Sequence, residues 1–225
     1  MLALAAGCAP AGSRDASSTD TAGTMSTSDS TATQQDTAAT TQATATNEEK
    51  KPMNYENQVA VLHTTAGDIS IRFFPDIAPN HVKNFLDLAS SGFYNGTKFH
   101  RVIPGFMIQG GDPNTKTDNV GSWGMGGSEK NVNAEFSRVP HKRGIVSMAR
   151  SQSPNSASSQ FFIVVGDSNF LDNKYTVFGQ VTQGMDIADK IVGAPTNGER
   201  PVNPVAITGI DIRSANADEQ GPAPK

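Results

Sequence analysis

The four histidines, His63, His81, His100 and His141, are scattered, with no pair at helical ligand spacing and no HExxH, so they do not compose a zinc site. Cys8 is the single cysteine, which excludes an internal disulfide, a thiolate metal cluster and a cysteine nucleophile from the rest of the chain. No GxSxG elbow is present and no paired carboxylates stand out, so hydrolysis through a Ser-His-Asp unit has no sequence support. Gly121, Gly124, Gly126 and Gly127 form a glycine-rich segment, but their spacing fits neither the Walker pattern nor the dinucleotide fingerprint. No metal or cofactor is implied. What remains is a binding module or an enzyme that makes and breaks no covalent bond.

The elements that would carry either activity are mostly strands. From Gln58 the chain alternates, with Val59, Val61 and His63 on one face, a turn at Ala66-Gly67-Asp68, and then Ile69, Ile71 and Phe73 at period two, which predicts a β-hairpin. Val82, Phe85, Leu86 and Ala89 follow at three- and four-residue spacing between Pro79 and Gly92, the pattern of a short amphipathic helix. Short runs rich in Val, Ile and Phe at 99–103, 106–109, 144–149, 160–165, 176–182 and 205–212 predict six further strands, and Met185, Ile187, Ala188, Ile191 and Val192 a second helix. About eight strands with two helices point to a mainly β fold: a closed eight-stranded antiparallel β-barrel capped by two α-helices. Residues 110–144 show little periodicity and read as a long surface loop, of the kind that is usually functional.

Composition divides the 225 residues into one domain and two tails. Residues 9–46 contain 9 Ala, 6 Ser and 11 Thr and no aromatic residue, so they cannot bury enough apolar surface to offset their ordering entropy. All 15 aromatic residues lie from Tyr55 to Phe178. The expected organisation is a signal-like segment at 1–8, a disordered linker at 9–53, a folded domain at 54–214 and a flexible tail at 215–225. Residues 54–214 carry 14 basic and 14 acidic side chains, which leaves no basic field to hold a nucleic acid. No stretch approaches the roughly 18 apolar residues of a membrane-spanning helix, so a soluble domain is expected.

The strongest local signal is Phe99-His100-Arg101-Val102-Ile103-Pro104-Gly105-Phe106-Met107-Ile108-Gln109-Gly110-Gly111-Asp112. It closely resembles the signature of the cyclophilin-type peptidyl-prolyl cis-trans isomerases. Asn84-Phe85-Leu86, Gly92-Phe93-Tyr94-Asn95-Gly96-Thr97, Ser159-Gln160-Phe161-Phe162-Ile163 and Val177-Phe178-Gly179 resemble other parts of that family and occur in family order across 55–213. The family's eight-stranded antiparallel barrel with two helices agrees with the independent count of elements.

The resemblance implies chemistry that fits the missing nucleophile. Resonance opposes rotation about a peptide C–N bond with a barrier of roughly 18–20 kcal/mol, and X-Pro bonds exchange over tens to hundreds of seconds. Accelerating that by about a hundred-thousand-fold requires lowering the barrier by roughly 7 kcal/mol, the scale of preorganised hydrogen bonds in a dry groove. By resemblance Arg101 donates toward the prolyl nitrogen and the neighbouring carbonyl, while Phe106, Met107, Phe162 and Leu171 form the proline pocket. Gln109 would fix the substrate backbone and orient Arg101, and Ala149, Arg150 and Gln160 would line the peptide path. His100, as the neighbouring strand residue, is expected to face the opposite side. The implied partners are proline-containing peptides and unfolded proteins, with a monomer sufficient. A proline-peptide binding module or holdase on the same groove is the alternative.

Three positions depart from the best-known eukaryotic pattern: Phe170 replaces Trp, Tyr175 replaces His and Arg150 replaces Asn. Phe170 and Tyr175 are still expected at the edge of the pocket, but loss of the indole area and N–H donor implies weakened cyclosporin binding. Leu2-Ala3-Leu4-Ala5-Ala6-Gly7 before Cys8 resembles the end of a bacterial lipoprotein signal, truncated because only seven residues precede the cysteine. A lipid on Cys8 would tether an extracytoplasmic domain through the linker; the alternative is a soluble cytoplasmic or secreted chain with an incidental cysteine.

Overall fold

In a computed structural model, which describes Tyr55, residues 57–221 and Pro224, the first hairpin joins β1 (Gln58–Thr64) to β2 (Gly67–Phe73). Cys8, the segment 1–8 and the linker 9–53 lie outside the described residues. Alternation fixes which side of the hairpin is core: Ala60, Leu62, Ile69, Ile71 and Phe73 are buried in one cluster. His63 turns to the other side, between Asp68 and Asp211.

Helix α1 (Pro79–Ser90) begins with proline at its first turn and buries His81, Val82, Phe85, Leu86 and Ala89 along one stripe. Its N-cap, Ala78, has no side chain that can accept, and Glu135 substitutes, 54 residues beyond His81. One Glu135 oxygen accepts from the Asn80 N–H at 3.2 Å and the other from the His81 N–H at 3.1 Å, satisfying donors that a helix start leaves open. Phe85 then sits at the centre of an aromatic group, with ring centroids 5.5 Å from Phe73, 5.0 Å from Tyr94, 5.4 Å from Phe161 and 5.5 Å from Phe178.

The remaining strands are β3 (Arg101–Ile103), β4 (Met107–Gly110), β5 (Ile145–Met148), β6 (Phe161–Val164), β7 (Val177–Gln183), β8 (Thr196–Asn197), β9 (Arg200–Pro201) and β10 (Ile207–Ser214), with α2 (Met185–Val192) after β7. Eight of them form one antiparallel sheet in the order β10-β1-β2-β7-β5-β6-β4-β3. Both helices bury their apolar residues in the same cluster as Ile108, Val146, Phe161 and Ile163. The alternate residues Met107, Ile145, Phe162 and Val164 belong to a second cluster on the opposite face.

The expected closed barrel is corrected to a curled half-barrel. Its outermost strands, β3 and β10, do not pair as a ladder; an isolated bridge, Lys98↔Ala206, and a hydrogen bond from the Gly96 N–H to the Ile207 carbonyl link the two edges. Beside this edge lies a small β8–β9 ribbon that the periodicity did not predict. Its Glu199 carbonyl accepts from the Val102 N–H at 2.7 Å and so occupies the edge of β3.

Residues 215–221, part of the tail expected to be flexible, contact the sheet. A 3-10 turn at Ala217–Glu219 folds back on the sheet, where Arg213 donates to both Glu219 oxygens at 2.6 and 2.8 Å and Arg72 donates to the Gly221 carbonyl at 2.7 Å. The Arg213 guanidinium holds the Glu219 carboxyl down to about 2, from an ordinary value of 4.5. A depressed carboxyl pKa contributes docking energy above the ordinary value and loses it as pH falls toward the folded value. Acidification from pH 4.5 to 2 is therefore expected to release the turn, read as loss of amide dispersion at 217–221, and Glu219→Gln to reproduce the release at pH 7. A turn still docked in that variant would contradict this account.

Candidate functional site

Antiparallel pairing places directly opposite residues on one face. The registers Arg101↔Gln109, Gln109↔Phe162 and Ser147↔Phe162 therefore align Arg101, Gln109, Phe162 and Ser147 in a row across four strands. A parallel row comprises Ile103, Met107 and Val164. Met107, Phe162 and Leu171 are buried in the second apolar cluster, and Phe106, Ala149 and Tyr175 pack against it half-buried. The residues expected to form the pocket thus share one cluster with Phe74, Val139, Ile145 and Val177. The ring of Phe170, which is 62% exposed, reaches that of Phe106 at 5.2 Å between centroids.

A relay of hydrogen bonds runs along the edge of this slot. The Arg101 Nη1–H donates to Gln109 Oε1 at 3.2 Å, and Gln109 Nε2 donates to Gln160 Oε1 at 2.8 Å. Gln160 Nε2 donates in turn to the carbonyls of Gly124 and Gly126, at 3.0 and 2.7 Å. Gln160 therefore spends both amide hydrogens on the glycine-rich loop, while Gln109 keeps one. The loop is itself fixed by Asp112, whose carboxylate accepts from the Asn114 and Gly124 N–H groups. Gly126 has no space for a side chain, since a Cβ there would lie 2.2 Å from Asp112 Oδ1.

Arg101 is also held from its outer side. Its Nε–H donates to Glu199 Oε2 at 2.5 Å, and these two partners account for two of its five N–H groups; the other three have none among the described residues. They are available to a ligand lying over the slot. His100, one residue earlier, points to the opposite face and is buried beneath Gly124, and burial pushes its pKa down.

Arg150, expected to line the peptide path, directs most of its donors to backbone carbonyls of its own chain. Its guanidinium donates to the Lys174, Ser151 and Gln152 carbonyls and stacks on the Tyr175 ring at 4.6 Å. That ring meets Phe162 edge-on, with centroids 5.8 Å apart, so Arg150 supports the wall. The floor has a second support in His141, whose ring stacks on Phe162 at 6.3 Å and lies between Asp172 Oδ1 at 2.9 Å and Ser147 Oγ at 3.2 Å. Burial lowers the His141 pKa against the opposing pull of Asp172. This array has the order of a Ser-His-Asp unit, yet Ser147 is fully buried and its hydroxyl donates to the Thr176 carbonyl at 2.7 Å. It braces the floor and presents no nucleophile.

Residues 58–212 match the family model described as cyclophilin type peptidyl-prolyl cis-trans isomerase/CLD. The chain belongs to this family. A Brucella abortus protein named as a probable peptidyl-prolyl cis-trans isomerase is 50% identical over 141 residues, which cover 60% of this chain and 71% of the relative. An Acinetobacter baylyi peptidyl-prolyl cis-trans isomerase is 41% identical over 170 residues, covering 71% of this chain and 88% of the relative. A Cryptosporidium parvum cyclophilin type isomerase, crystallised in the presence of the dipeptide Ala-Pro, superposes with a TM-score of 0.64 at 33% identity, covering 69% of this chain and 99% of that one. The cyclophilin domain is thus an isomerase of peptidyl-prolyl bonds, and a site without nucleophile suits a reaction in which no covalent bond changes.

Sequence reasoning named Arg101, Gln109, Gln160 and the apolar wall; the hydrogen-bond relay joins the first three, and the wall residues share one cluster. It did not identify Glu199, Asp112, the Gly124 and Gly126 carbonyls or the His141 brace. The glycine-rich spacing was the only available signal for the loop. Nothing in the local sequence marks Glu199 as a neighbour of Arg101, 98 positions away.

Proposed function

We propose that the isomerase accelerates X-Pro rotation in unfolded or flexible proteins by presenting Arg101 to the twisting imide. The supporting observation is that three N–H groups of the guanidinium, at the edge of the slot formed by Phe106, Met107, Phe162 and Leu171, have no partner among the described residues. As the prolyl nitrogen pyramidalises its lone pair becomes an acceptor, and a donor already in place stabilises the twisted state more than either planar isomer. Arg suits this because its planar fork stays charged. Gln109 anchors Arg101 and retains one N–H for the substrate backbone, while Gln160 and Ala149 border the path. The groove is built within one chain, so a monomer suffices.

The test is a protease-free isomerisation assay on an Ala-Pro peptide with the full chain. Turnover abolished by changes at Arg101 supports the reading. Negligible turnover by the wild type, with the peptide still bound, would leave a binding module or holdase instead. At Phe170 the missing indole removes a donor and contact area, so cyclosporin is expected to bind weakly, and inhibition at stoichiometric drug concentration would contradict that.

We also propose that Cys8 carries a lipid and tethers the domain to the outside of a bacterial membrane, where slow proline isomers limit the maturation of emerging chains. The support is the run Leu2–Gly7 before Cys8 and the Ser/Thr/Ala-rich linker after it. Mass spectrometry of the membrane fraction is expected to find a diacylglycerol-modified N-terminal Cys8. An unmodified species beginning at Met1 in the soluble fraction would reject the anchor.

A further inference from the structure

Resting on the reading of Arg101 as the catalytic donor, we infer that Glu199 is its positioning residue, through a contact made by the β8–β9 ribbon. The ribbon turns at Gly198, where φ is +66°, between the paired positions Asn197 and Arg200. The backbone of Glu199 is fixed independently of its side chain, because its carbonyl accepts from the Val102 N–H at 2.7 Å. The carboxylate consequently starts from a defined place beside β3 and accepts from Arg101 Nε–H at 2.5 Å.

This contact has a geometry that an incidental surface ion pair need not have. Nε is the donor nearest the aliphatic stem, and engaging it leaves both terminal nitrogens toward the slot. Gln109 takes one hydrogen from Nη1 at 3.2 Å. Two acceptors on different nitrogens fix the plane of the guanidinium as well as its position, and leave three donors oriented together. An unanchored arginine would lose rotamer entropy on each productive encounter. Exposed pairs often contribute little to stability, and Glu199 is 54% exposed, so the effect belongs in turnover and not in folding.

Steady-state kinetics with an Ala-Pro peptide test this through Glu199→Ala and Glu199→Gln in the full chain. Glu199→Ala is expected to lower kcat by about ten-fold with KM changed less than about two-fold, because misplacing a catalytic group affects the transition state. Glu199→Gln retains an acceptor for Nε–H and should recover activity to within about three-fold of wild type. In an Arg101→Ala background, Glu199→Ala should add less than about two-fold, since the partner it positions is gone. The Arg101 Nε–H resonance provides a signature that ribbon integrity alone does not move: it should be protected in wild type and in Glu199→Gln, and lost in Glu199→Ala. If Arg101→Ala abolishes turnover but Glu199→Ala retains it, the positioning role is wrong and the catalytic reading survives. If Glu199→Ala costs as much with Arg101 absent as present, Glu199 acts through folding. If Arg101→Ala itself is active, the catalytic reading fails first.

Discussion

Arg101→Ala is expected to reduce kcat/KM for an X-Pro peptide by about 10²–10³-fold, the range found for removal of one preorganised donor from a transition-state site. The side chain is one-third exposed and its partners, the Glu199 carboxylate and the neutral Gln109 amide, remain hydrated when it is removed. Folding stability should therefore change by less than about 0.5 kcal/mol, as for surface positions outside a core. Peptide affinity should also be nearly retained, because Phe106, Met107, Phe162 and Leu171 supply the apolar contact. The separation of the three quantities is the decisive feature. A rise in KM at constant kcat would assign Arg101 to ground-state binding and remove it from the mechanism. Arg101→Lys keeps the charge but has no Nε–H for Glu199, so it should fall between wild type and alanine.

Phe162→Ala should show the opposite pattern, with binding and stability lost together. The ring is 5% exposed, meets Tyr175 edge-on at 5.8 Å, and stacks on His141 at 6.3 Å. Deleting a buried phenylalanine costs roughly 3–5 kcal/mol through lost transfer energy and the cavity left behind. That is a large share of the roughly 5–15 kcal/mol that holds an ordinary domain folded. A urea midpoint shift of that size is expected, together with loss of proline-peptide binding. Phe162→Leu separates the two effects by restoring most of the buried volume: stability should largely return while affinity stays reduced, because the flat floor is missing. Full affinity in the leucine variant would show that the ring is packing for the core alone.

Much of the domain was legible because its information is local. Period-two alternation at Ile69, Ile71 and Phe73 and the stripe through Val82, Phe85, Leu86 and Ala89 each describe one element burying one face. The same alternation makes Arg101, Met107, Gln109 and Phe162 share a side, given the strand pairing. Pairing itself was less legible. The buried residues of β1 are Val59, Ala60 and Leu62, and pairing brings His63, on the face of Val59 and Val61, to two aspartates, across the turn and on β10.

Where sequence reasoning stopped, the missing contacts join distant or weakly patterned segments. The β8–β9 ribbon has two residues per strand and no periodicity to detect, yet its Glu199 carbonyl bonds the edge of β3. Glu219 returns to Arg213 and orders a tail whose composition suggested flexibility. Arg150, expected from the resemblance to line the peptide path, is engaged by three carbonyls and the Tyr175 ring.

The amino-acid order by itself determined the cyclophilin framework, the apolar lining of the slot and the identity of the cation beside it. Side-chain type and short-range spacing encode those features directly. Tertiary structure alone decided which way that cation faces, through Glu199 from 98 residues downstream and through a relay ending on the Gly124 and Gly126 carbonyls. Hydrogen bonds depend on ångström-scale distance and angle, which arise only once separate strands and loops have packed.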